Sequence, residues 1–168
     1  MARTLILLRH AKADWPVGVP DHERPLAARG VKDAPQTGAW LVTGGRVPDL
    51  VLCSTASRTR QTYRLVAAAF GTQPEVSFLD AIYDASAGEL LEFVRAAPDV
   101  ARTVLLVGHC PGVQRLALAL ADDTRPDLVS RLHDGYPTNT ATVLQTRAAW
   151  SELDPGGASV IDLASPRG

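Results

Sequence analysis

The sequence has only two cysteines in 168 residues, Cys53 and Cys110, too few for the disulfide framework that holds small secreted folds together. Both stand at the ends of apolar, strand-like runs, which predicts buried free thiols. No apolar run approaches the ~20 residues that cross a bilayer, and the first apolar stretch, Thr4 to Leu8, is too short for the core of a signal peptide. Net charge is also lacking, at −1, so no overall field draws the chain to nucleic acid or to an anionic membrane. The histidines and cysteines lack the paired spacing of a zinc site. No Gly-rich loop ending in Lys marks a P-loop nucleotide site. These absences predict a cytoplasmic protein with no metal, no cofactor, no nucleic-acid partner and no membrane contact. Any cationic site in it must be local.

What is present suits one ordinary domain spanning residues 1–168. Hydrophobic residues make up 46% and charged residues 21%, enough to bury a core without staples. Nothing demands more than a monomer or a weak dimer. Thr4–Leu8, Asp49–Cys53 and Thr103–Val107 are continuous apolar runs, the pattern of strands covered on both faces. Glu75–Leu79 and Ala141–Thr146 are weaker strand candidates, and Ser159–Leu163 fits a last edge strand. Helical periodicity lies between them. It predicts helices over about 28–43 with Pro35 in or near the first turn, 57–70, 86–98 opening on a Ser86/Glu89 capping box, one starting at Pro111, and a short one over 127–132. This alternation predicts an α/β fold, a three-layer sandwich with a mainly parallel central sheet and helices on both faces.

In such sheets ligands bind beyond the C-terminal ends of the strands. The three strongest strands end in Arg9-His10, in Cys53-Ser54 and in Gly108-His109, and Arg58 and Arg60 follow the middle strand. Convergence of these ends brings Arg9, His10, Arg58 and His109 together, with N–H groups from the turn at Ser54. Guanidinium forks and helix starts favour a phosphate dianion. Surrounding positive charge pushes a histidine below its usual pKa of ~6.5, leaving His10 neutral and nucleophilic. Attack on phosphorus then gives a phosphohistidine that water hydrolyses, with Arg9, Arg58 and His109 stabilising the equatorial oxygens. Arg60 is expected in solvent, His22 and His133 on the surface, and Asp21 in a loop. Asp14 and Asp84 are loop carboxylates within range of the pocket mouth. Trp15 is the one tryptophan near the site.

These residues resemble the histidine phosphatase superfamily, the phosphoglycerate mutase-like fold. Leu8-Arg9-His10-Ala11 is similar to its Arg-His-Gly signature, Arg24-Pro25-Leu26 with Gly30 to its Pro-Leu segment, Ser54 to Thr62 to its Ser-x-x-x-Arg-x-x-Gln-Thr segment, and Gly108-His109-Cys110-Pro111 to its second-histidine motif. The resemblance implies His10 as nucleophile, with Arg9, Arg58 and His109 on the phosphate and Arg24 at the rim. Ala11 stands where the family usually has Gly, Pro16 where many members have Asn, and Ala81 where many have a Glu acid. The proton donor is therefore open among Asp80, Asp84, Asp14 and His109. A short chain without that acid resembles the bacterial phosphohistidine phosphatases, which implies a phosphorylated protein as substrate. A small phosphorylated molecule, or binding without turnover, is the alternative. A thiol phosphatase needs five residues between Cys and Arg, whereas Cys53 and Arg58, like Cys110 and Arg115, have four.

Overall fold

The computed structural model describes residues 1–168. Its six strands are β1 (Arg3–Arg9), β2 (Leu50–Ser54), β3 (Glu75–Leu79), β4 (Thr103–Gly108), β5 (Ala141–Thr146) and β6 (Ser159–Ala164). They form one sheet in the order β3-β2-β4-β1-β5-β6. The first four are parallel to one another, while β5 and β6 run antiparallel to their neighbours. The helices are α1 (Ala28–Thr43), α2 (Ser57–Ala67), α3 (Ala87–Arg95), α4 (Gly112–Leu120) and α5 (Pro126–Asp134).

Because side chains alternate across a strand, each apolar run supplies both cores. Leu5 and Leu7, Leu50 and Leu52, and Val104 and Leu106 face α3, α4 and α5, in a layer that also buries Leu116, Leu120 and Leu132. Ile6 and Leu8, Val51 and Cys53, and Leu105 and Val107 face α1 and α2, through Ala34, Leu41 and Val66. The result is the sandwich that continuous apolar strands require. No helix is long and apolar enough to cross a membrane.

Local chemistry sets most boundaries. Ser86 accepts the Glu89 N–H and Glu89 accepts the Ser86 N–H, each at 3.2 Å, a complete capping box for α3. Three expectations are corrected. Pro35 lies inside α1 rather than near its first turn, because the helix already starts at Ala28. α2 stops at Ala67, short of Phe70. Cys53 is buried as expected, whereas Cys110 is only half-buried, since it follows the last residue of β4 into a loop.

Candidate active site

The strand order decides which loops meet. β4 lies between β1 and β2, so the ends of all three open on one edge of the sheet. Arg9 pairs with Gly108 across β1 and β4, and the next residue of each strand is a histidine. The two imidazoles stand with ring centroids 5.4 Å apart. Main-chain bonds fix the nucleophile candidate: the His10 N–H donates to Gly108 O at 3.1 Å, and His10 O accepts from Asn139 N–H at 3.0 Å. From the other side of β4, Ser54 Oγ lies 2.8 Å from His109 Nε2. Arg58 enters from the first turn of α2, just past the end of β2.

His10 Nδ1 lies 2.7 Å from Ala11 O. A carbonyl only accepts, so Nδ1 carries the proton and Nε2 the lone pair. Burial is the largest influence and lowers the pKa to about 4; the hydrogen bond to Ala11 O, next in size, opposes it, and the charges of Arg58, Arg9 and Arg24 add to the lowering. His109 is lowered to about 3 by burial and by His10, Arg58 and Arg9, with Asp21 opposing. Both rings are neutral at pH 7. The Ala11 N–H is held in turn by Thr62 Oγ1 at 2.9 Å, and Gln61 Oε1 accepts the Leu26 N–H at 2.8 Å. The Gln-Thr pair of α2 thus ties the loop after His10 to the Arg24-Pro25-Leu26 segment.

A cavity of about 230 Å³ opens in front of His10, lined among others by Arg9, Arg24, Arg58, His109 and Lys12. Arg9 Nη1 donates to Tyr136 O at 2.8 Å. Arg24 lies flat on Trp15, its Cζ 3.2 Å from the ring centroid. A second cavity, about 310 Å³, adjoins on the far side of His109, with Tyr83, Asp84, Glu89 and Arg115 in its wall. Three guanidiniums around a neutral imidazole can hold a phosphoryl group for in-line attack by Nε2. His, Cys, Asp and Glu side chains form no group able to hold a metal ion.

The structure brings Arg9, His10, Arg24, Arg58 and His109 to one cavity wall. The other sequence candidates sit elsewhere. Ser54 is fully buried, and its hydroxyl lies against His109 Nε2 and accepts the Ala56 N–H at 3.3 Å. The Asp14 carboxylate accepts the Trp15 N–H, and what reaches the site is its carbonyl, 2.9 Å from Arg24 Nε. Asp80 is bonded by Thr55 Oγ1 at 2.5 Å, and Thr55 Oγ1 also lies 2.9 Å from His22 Nε2. His22 is therefore half-buried rather than a free surface residue, packed edge-on against Tyr83.

Two residues that sequence reasoning missed join the site. Asp21 pairs with both Arg24 and Arg58. The Tyr83 hydroxyl donates to Asp21 Oδ2, and the Tyr83 ring stands edge-on to His109 at 5.3 Å. The Tyr83 bond and the two arginines hold the Asp21 carboxyl well below the usual range. Neither residue lies in a periodic segment. The one available signal was Asp21 three residues before Arg24, the spacing of a local ion pair.

Comparison with known proteins agrees with this geometry. The model of the histidine phosphatase superfamily (branch 1) matches residues 5–97. An uncharacterised protein of Mycobacterium tuberculosis is 36% identical over 162 residues, covering 95% of this chain and all of that protein. A candidate phosphohistidine phosphatase SixA from Nakamurella multipartitia has 35% identity and a TM-score of 0.87, covering 99% of this chain and 97% of that one. A further SixA candidate, from Agrobacterium tumefaciens, has 31% identity and a TM-score of 0.83 over 98% of both chains. Sequence motif, fold and relatives coincide, and the chain belongs to the histidine phosphatase superfamily.

Proposed function

We propose that this histidine phosphatase is a protein phosphohistidine phosphatase with His10 as its nucleophile. The observation that carries the reading is the pinned neutral imidazole: Nδ1 is committed to Ala11 O, which leaves the Nε2 lone pair for phosphorus. In the first step Nε2 bonds to phosphorus and the N–P bond to the substrate imidazole breaks. That imidazole leaves as the neutral ring after taking one proton from solvent water, and the attack of water in the second step returns one proton to solvent. In the second step water attacks the phosphorus, the His10–phosphorus bond breaks, and phosphate departs. Arg9, Arg24, Arg58 and neutral His109 hold the phosphoryl oxygens through both steps.

An imidazole is a far better leaving group than an alkoxide, which matches a site with Ala81 where an acid is usual and with Asp80 hydrogen-bonded to Thr55. The relatives named SixA support the same substrate class. Two free thiols are in keeping with a reducing compartment such as the cytoplasm. The test is a comparison of kcat/KM on a histidine-phosphorylated protein and on small phosphomonoesters. We expect a clear preference for the phosphoprotein. A strong preference for a sugar or glycerate phosphate would contradict the substrate class while leaving the chemistry intact.

A further inference from the structure

A guanidinium has five N–H donors and no acceptor. In Arg58, Nη1 donates to Asp21 O at 2.7 Å and Nη2 to Asp21 Oδ2 at 3.1 Å. In Arg24, Nε donates to Asp14 O and Nη1 to Asp21 Oδ1, both at 2.9 Å. Each arginine thus has two donors fixed by protein oxygens and three remaining. Both arginines line the cavity in front of His10, whereas Asp21 does not. Asp21 therefore holds the two side chains from outside the cavity. One acidic residue bridges two cations that would otherwise repel each other beside Arg9. Tyr83 donates to Oδ2, which orients the carboxylate, and its ring packs on His109 and near the Arg58 guanidinium.

We propose that Asp21, oriented by Tyr83, is a positioning residue that sets the phosphate-binding geometry of Arg24 and Arg58. The inference rests on the reading of this cavity as the phosphoryl site. Two effects of removing the carboxylate oppose each other. Loss of a negative charge near an anion site favours the anion, and loss of the bridge frees two long side chains. The Asp21 side chain is 50% exposed, so water screens its charge effect, while without the bridge two freed arginines must lose a large rotamer entropy each time they close on the anion. The bridge dominates.

The experiment is calorimetric titration of inorganic phosphate into the wild-type chain and the variants Asp21→Asn, Asp21→Glu and Tyr83→Phe, with thermal melting of each. Asp21→Asn is expected to weaken phosphate binding about tenfold, the coupling typical of residues in one hydrogen-bond network. Asp21→Glu is expected to recover part of that loss, and Tyr83→Phe to shift binding in the same direction by less. In steady state the Asp21→Asn change is expected in KM more than in kcat. On an Arg24→Gln background, Asp21→Asn is expected to cost less than on the wild type. Equal or tighter phosphate binding by a folded Asp21→Asn protein overturns the inference. If Asp21→Asn does not fold, unchanged binding by Tyr83→Phe overturns it. Absence of phosphate binding by the wild type instead contradicts the phosphoryl-site reading, so the two failures are told apart.

Discussion

At His10, burial and cationic neighbours act in the same direction, and both remove a proton from a ring that must attack as a base. The imidazole is neutral above about pH 4. Activity is therefore expected to hold through pH 6.5 and to fall only as the pH approaches 4, in a kcat/KM profile taken where the fold persists. Stability moves the same way. An unfolded histidine binds its proton near pH 6.5 and the folded one near 4, so the unfolded state holds more protons between those values and stability drops as pH falls through that window. The amount for His10 is about 3 kcal/mol, measurable as the difference in pH-dependent denaturation between the wild type and His10→Asn. Cys53 is the control. Burial raises its thiol to about 12, and its Sγ donates to Ser54 O, so it is no nucleophile at neutral pH. Cys53→Ser is expected to leave kcat unchanged; a collapse of activity in a folded Cys53→Ser protein would restore the thiol mechanism. The sequence showed His10, Arg9, Arg58 and His109 because each follows or closes a recognisable strand or opens a helix. It did not show Asp21 or Tyr83 as site residues: beside its local pair with Arg24, Asp21 meets Arg58 and Tyr83 from 37 and 62 residues away in the chain.

At the scale of elements, two glycines of α1 distinguish packing from function. A Cβ on Gly30 would stand 2.2 Å from Lys12 O, in the loop just after His10. A Cβ on Gly38 would stand 2.3 Å from Val66 O on α2, away from the site. Both substitutions to Ala force backbone apart and are expected to cost roughly 1–3 kcal/mol in denaturant titration. Gly30→Ala is also expected to lower kcat/KM of the folded protein, because Lys12 lines the cavity of His10. Gly38→Ala is expected to leave kcat/KM unchanged. Equal kinetic losses in both would contradict a role specific to the loop after His10, and no loss in a folded Gly30→Ala protein would show that this loop tolerates the displacement. The helix starts were legible where a side chain caps them, as at Ser86, and the ends were not: α2 stops at Ala67 and α3 at Arg95, each followed by alanines that could continue a helix, short of Phe70 and Pro98.

For the whole molecule, the sheet order carries the account. Three apolar runs separated by helical patterns already implied a parallel sheet, and its C-terminal edge already selected the histidines. The reversed direction of β5 against β1 and β6 was not legible, because the long connections before β5 and β6 are compatible with either direction. Once β4 is placed between β1 and β2, His10, His109 and Arg58 must share one edge, and the chemistry follows from their charges. The most direct measurement is to incubate the protein with a labelled phosphodonor, quench it under conditions that preserve an acid-labile phosphoramidate, and locate the phosphate by mass spectrometry. The account predicts label on His10, lost in His10→Asn. Label on Cys53, on His109 or on any other residue would contradict it.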